Sequence, residues 1–103
     1  MVRIKWTDKA VKHLEAIYEY IARDSKIYAK RYIKSLITST EKLKKMPECG
    51  RKVPEFEDAD FREIFYKNHR IVYRLTDADK HIDILAVVHG TQDMQKIFFI
   101  KNE

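Results

Sequence analysis

The 103-residue sequence predicts an α+β fold: an amino-terminal strand, then an antiparallel helical hairpin packed on one face of a mainly antiparallel sheet. Three observations carry this. Val2 to Trp6 alternates apolar and basic side chains, the period-two pattern of a strand with one buried face. Two segments on either side of Asp24-Ser25 repeat apolar residues at helical spacing. Three later segments rich in β-branched and aromatic residues are joined by short polar turns.

Thr7 supplies a side-chain oxygen for an N-cap, and Asp8 suits the positive end of the helix dipole. Trp6 and Val11 are placed to form a hydrophobic staple across that cap. Ala10, Val11, Leu14, Ile17, Tyr18 and Ile21 then share one face of a helix over about 8–23. Asp24 and Ser25 stop it, and Ser25 caps the next. Ala29, Tyr32, Ile33, Leu36, Ile37, Thr40 and Leu43 predict a second helix over about 27–45, ending before Pro47. So short a connection makes the pair an antiparallel hairpin. Pro47, Gly50 and Pro54, followed by acids up to Asp60, predict a connecting loop over 47–60. Strands are expected over 61–66, 69–75 and 81–89, with turns at Lys67-Asn68 and Asp77-Ala78-Asp79-Lys80. The first strand adds either at an outer edge or beside the last strand. The apolar tail from Met94 to Ile100 reads either as a short core strand, the favoured reading, or as a partner-binding segment.

The length fits a single domain spanning 1–103. One cysteine, Cys49, excludes an internal disulfide and any cysteine-pair zinc site. No metal or cofactor is expected. The longest aliphatic run, Ile84 to Val88, is far below the ~20 residues of a membrane span. The amino terminus has no run of signal-peptide type, so a soluble cytoplasmic protein without membrane contact is expected. The formal charge of +5 is unevenly placed: residues 26–46 carry +6 and residues 62–75 carry +3, offset by −3 over 47–61. The helical lysines read as a solvated face. A plain nucleic-acid-binding module would use them as its footprint, but no reading helix or stacking platform accompanies them.

The strand charges are harder to dismiss. Alternation assigns Phe61, Phe65, Ile71, Tyr73, Leu75, Ile82, Ile84, Ala86 and Val88 to the face beneath the helices. The uncovered face would then show Arg62, Arg70, Arg74 and His89 among Val72, Leu85 and Val87, with Arg3 and Lys5 beside them. Like charges on adjacent strands cost energy unless a partner offsets them. An arginine fork suits phosphate or carboxylate.

The order strand, helix, helix, three-strand meander resembles the RelE/ParE superfamily of type II toxin–antitoxin toxins. The resemblance runs through Trp6 to Ala10, Leu14 to Ala22, the loop Pro47-Glu48-Cys49-Gly50-Arg51-Lys52-Val53-Pro54-Glu55, and Phe61-Arg62-Glu63-Ile64. It is densest in His69-Arg70-Ile71-Val72-Tyr73-Arg74 and Ile84-Leu85-Ala86-Val87-Val88-His89-Gly90. It implies an acidic antitoxin that wraps the helical hairpin and the sheet, in a hetero-oligomeric complex. RelE-like members cleave messenger RNA on the ribosome without metal; ParE-like members poison DNA gyrase without nuclease chemistry. On the nuclease branch the resemblance makes Arg62, Arg70 and His89 catalytic. After His89, however, the run Gly90 to Met94 lacks the further arginine of those nucleases, and the tail lacks tyrosine and histidine. The loop at 47–55 is ParE-like. The expectation is therefore a ParE-like gyrase inhibitor, of the type that stabilises plasmids, with ribosome-dependent mRNA cleavage as the alternative. The partner-binding residues expected are Arg51, Arg62, Arg70, Val72, Arg74, Leu85 and Val87.

Overall fold

The computed structural model describes residues 2–56, 60–76 and 80–92. The chain runs through β1 (Arg3–Trp6), α1 (Asp8–Ala22), α2 (Lys26–Thr38), a 3₁₀ turn (Glu41–Lys44), β2 (Arg51–Lys52), β3 (Phe61–Tyr66), β4 (His69–Thr76) and β5 (His81–His89). The described strands form one sheet in the order β1-β5-β4-β3-β2. Only the β1–β5 pair is parallel, with Ile4 opposite Ile82 and Trp6 opposite Ile84. A parallel neighbour needs a long connection, and every element from α1 to β4 lies between β1 and β5. Both helices start as the sequence predicts. Thr7 Oγ1 accepts from the Ala10 N–H at 3.2 Å, and Ser25 Oγ accepts from the Tyr28 N–H at 3.1 Å. Thr7 also donates to the Ile84 carbonyl at 2.8 Å, tying the start of α1 to the sheet.

The second helix is shorter than expected. It ends at Thr38, where Ser39 Oγ bonds the Leu36 carbonyl and Thr40 Oγ1 bonds the Ile37 carbonyl. These local side-chain bonds compete with the helical ladder and start the 3₁₀ turn that buries Leu43. The loop expected over 47–60 contains a short edge strand, β2, paired through Arg51 to Glu63 and Lys52 to Arg62. Val11, expected in a staple with Trp6, is 38% exposed, and Trp6 packs on the main core. The expected strand over 94–100 and the turn residues 77–79 lie outside the described residues.

The sheet has two apolar layers. Beneath the helices, Ala10, Leu14, Tyr32 and Leu36 meet Ile64, Ile71, Tyr73, Leu75, Ile82, Ile84 and Val87. On the opposite, open face, Val53, Val72, Ala86 and Val88 form a smaller cluster, with Phe56 and Phe61 against it. This corrects the expected faces at two strands. In β3 the helix-facing residue is Ile64, not Phe61, so Glu63 points to the open face. In β5 the register shifts opposite Val72 and Tyr73, where Ala86 and Ile84 are the partners and Leu85 is the extra residue. The bulge turns Val87 under the helices and sends Ala86 and Val88 to the open face. Val72 and Val87, expected to be exposed, are therefore buried on opposite sides of the sheet, and Leu85 is half-buried.

Candidate functional site: an arginine–glutamate chain on the open face

The open face is covered in part by the segment that follows β2. Val53 enters the apolar cluster, its N–H donating to the Phe61 carbonyl at 3.3 Å, and the Phe56 ring packs on Phe61 with centroids 5.4 Å apart. Between these two anchors lies Glu55. Its carboxylate meets Arg70 end-on: Nη1 donates to Oε2 at 2.8 Å and Nη2 to Oε1 at 2.7 Å. Arg70 Nε donates to Glu63 Oε1 at 2.6 Å, and Glu63 Oε2 accepts from Arg51 Nε at 2.6 Å. The result is an alternating chain, Glu55–Arg70–Glu63–Arg51.

Burial sets how this chain behaves. Arg70 is 5% exposed and Glu63 is 1% exposed, so neither charge could stay there unpaired. The hydrogen bonds from Arg70 hold the Glu55 carboxyl below the usual carboxylate range. The two carboxylates, in turn, raise the already high pKa of Arg70 against the cost of its burial. Arg70 thus corrects the expectation of a free fork, because every guanidinium nitrogen already donates to a carboxylate.

Arg62 lies apart from this chain. It is opposite Tyr73 in the ladder, on the helix side of the sheet. Its Nη1 is held by the carbonyls of Gly50 at 2.8 Å and Glu48 at 3.2 Å. Tyr73 completes this anchor, its hydroxyl donating to the Pro47 carbonyl at 2.7 Å and accepting from the Gly50 N–H at 3.0 Å. Burial pushes the Tyr73 hydroxyl up to about 12, so it stays a neutral donor. Gly50 is required here because a Cβ would sit 2.6 Å from the Tyr73 hydroxyl oxygen and 2.7 Å from the Glu63 carbonyl oxygen. Arg62 and Arg70, expected to converge on one face, are therefore on opposite faces.

Arg51 and Arg74 remain exposed on the open face, stacked over Phe65 and Phe61 at 5.0 and 5.6 Å. His89 is also exposed, but at the far end of the sheet beside His69, with ring centroids 5.8 Å apart. His69 Nδ1 shares a hydrogen bond with the Tyr32 hydroxyl at 2.7 Å. Burial, then the neighbouring His89, lowers the His69 pKa. Burial, with Tyr66 and Tyr28 nearby, raises that of Tyr32. His89 is thus not gathered with Arg62 and Arg70. No three His, Cys, Asp or Glu side chains among the described residues are arranged to hold a metal.

Residues 4–94 match the sequence profile of the ParE toxin of the type II toxin–antitoxin system parDE. The chain belongs to the ParE toxin family. A candidate toxin of Sinorhizobium fredii (strain NBRC 101917 / NGR234), Y4kP, is 28% identical over 97 residues, covering 92% of this chain and 95% of that protein. Among solved structures, a chain of the chromosomal ParDE toxin–antitoxin system of P. aeruginosa superposes with TM-score 0.72 at 24% identity, over 86% of this chain and 96% of that one. A chain of the Mycobacterium tuberculosis toxin–antitoxin complex RelBE2 gives 0.64 at 19%, over 85% and 96%. The isolated E. coli RelE toxin gives 0.60 at 14%, over 99% and 98%. At these identities the three structures establish the shared α+β fold. Among the described residues of this ParE-family chain, no helix is long and apolar enough to cross a membrane.

Glu55 and Glu63 were the residues that alternation missed. Glu63 sits between Arg62 and Ile64 with no local mark of burial; Glu55 closes the loop motif, which was the available signal. His13 was missed too. Its Nδ1 accepts from the Val87 N–H at 3.0 Å, just beyond the bulge and past the end of β1.

Proposed function

We propose that this ParE-family toxin inhibits DNA gyrase and is neutralised by a cognate acidic antitoxin in the cytoplasm, stabilising the replicon that encodes the pair. The observation that supports a target other than RNA is the closed state of the Arg70 fork. Cleaving RNA requires cationic groups free to meet the strained phosphate, with an acid and a base on either side of it. Here Glu55 and Glu63 take up Arg70, backbone carbonyls hold Arg62, and His89 lies at the end of the sheet. The exposed arginines, Arg51 and Arg74, stack on phenyl rings and suit contact with an acidic protein surface.

The antitoxin reading draws on a second surface. A shallow groove of about 380 Å³ runs along the hairpin, lined by Tyr18, Ile33, Ile37 and Thr38 and flanked by Lys30 and Lys34. An apolar floor between cations matches an acidic amphipathic segment that orders on binding. Supercoiling by purified gyrase, assayed beside messenger RNA cleavage on programmed ribosomes, tests the target. Loss of supercoiling with intact mRNA is the expected result. Ribosome-dependent cleavage abolished by Arg70→Lys would overturn it and return the chain to the ribonuclease branch.

A further inference from the structure

The Arg70 fork has one fixed partner and one replaceable partner. Glu63 belongs to a central stretch of β3, its side chain is fully buried, and it is also bonded to Arg51. The Glu55 side chain is 30% exposed and comes from a loop. That loop is held on both sides of Glu55, by Val53 in the open-face cluster and by Phe56 against Phe61. Rotation about the Glu55 side chain alone therefore swings its carboxylate into water while the loop stays in place.

We infer that the outer edge of the Arg70 guanidinium is a carboxylate-exchange site, at which an acidic side chain of the bound antitoxin takes the place of Glu55. The two Nη atoms present a planar pair of donors at 2.8 and 2.7 Å, a geometry that any carboxylate reproduces. Exchange of like for like keeps the buried Arg70 charge compensated throughout, so neither state leaves a bare cation in the sheet. The outgoing carboxylate regains the hydration that the incoming one loses. Exposed Arg51 and Arg74 on the same face draw acidic chain toward the fork. Glu55 then acts as a built-in stand-in for the antitoxin, keeping the free toxin folded and its fork closed.

This rests on the antitoxin-neutralised reading above, and the test separates the two. Calorimetric titration of the cognate antitoxin into the wild-type chain, Glu55→Gln, Glu55→Ala and the control Glu48→Gln compares equal changes of charge. Removing the stand-in should tighten binding about tenfold for both Glu55 variants. The gain should persist at about 0.5 M salt, where general attraction is screened, and the exposed Glu48 variant should stay near wild type. Glu55 variants no tighter than Glu48→Gln, with unchanged circular dichroism, would overturn the exchange. A wild-type chain that binds no antitoxin would instead overturn the antitoxin reading. A second arm needs no antitoxin: acetate should raise the melting temperature of Glu55→Ala above that in chloride of equal ionic strength, and leave wild type unmoved. Equal melting in both salts would show that the fork does not take a free carboxylate and would overturn the exchange.

Discussion

Single atoms decide two features of this toxin. The Tyr73 hydroxyl is one: it bridges the Pro47 carbonyl and the Gly50 N–H, in a site so close that a Cβ at Gly50 would clash. Tyr73→Phe strands both backbone groups, so urea unfolding should show a loss of about 1–3 kcal/mol. Gly50→Ala forces a methyl group against the Tyr73 hydroxyl and the Glu63 carbonyl and should cost a similar ~1–3 kcal/mol. The other is the His69 ring, neutral beneath Tyr32 and beside His89. Its folded pKa lies below the unfolded value of about 6.5, so the unfolded chain binds the extra proton first. The His69 contribution is therefore constant above about pH 6.5 and declines as pH falls toward the lowered folded pKa. Glu55 behaves differently: its folded pKa is also lowered, and its contribution persists until the pH falls below about 4.3. Thermal melts of wild type and His69→Gln across this range should differ in slope between about pH 5 and 7 and run parallel above it. Parallel curves throughout would remove His69 from the acid response.

At the scale of elements, the β5 bulge governs what each strand presents. Leu85 is the extra residue, so side-chain alternation reverses after it. Val72→Asp and Val87→Asp should each destabilise by about 3–5 kcal/mol, because both bury an unpaired carboxylate, one on each side of the sheet. Leu85→Asp, at the half-buried bulge position, should cost clearly less in the same unfolding assay. A Val72→Asp chain as stable as wild type would restore the exposed face that simple alternation predicts. The same bulge explains how far the sequence could be read. Caps at Thr7 and Ser25, the helical hairpin, the three long strands and the Lys67-Asn68 turn follow from local pattern and appear as expected. The bulge leaves no such mark in Ile84-Leu85-Ala86-Val87-Val88, where every residue is apolar and either phase fits. In β3, Phe61 and Ile64 are both apolar, and only the pairing of Glu63 with two arginines selects the face. The candidate site was legible in its residue types, since Arg51 and Arg70 do belong to one constellation. Its closure was not, because it depends on Glu55 reaching Arg70 across fifteen positions of sequence.

Across the whole molecule, the +5 charge acts chiefly through where it lies. Among the sheet arginines, Arg70 is compensated by Glu55 and Glu63 and Arg51 in part by Glu63, which leaves Arg74 as an exposed cation of the open face. The exposed basic residues of α2 are the larger group, and Lys30 and Lys34 flank the apolar groove of the hairpin. On the proposed docking of an acidic antitoxin in this groove, steering should be set chiefly by α2, and the lifetime of the complex should depend on burial of apolar side chains over Tyr18, Ile33 and Ile37. Lys30→Glu with Lys34→Glu should slow association about tenfold at low salt, as read by stopped-flow fluorescence. Raising the salt to about 0.5 M screens the field and should bring the two association rates together. Ile33→Ala should do the reverse, leaving association nearly unchanged and speeding dissociation, because an exposed apolar floor has no long-range field. If the double charge reversal left the association rate untouched at low salt, the antitoxin would have to approach from the sheet side, past Arg51 and Arg74. The charge that excess lysine gives α2 would then serve solubility alone.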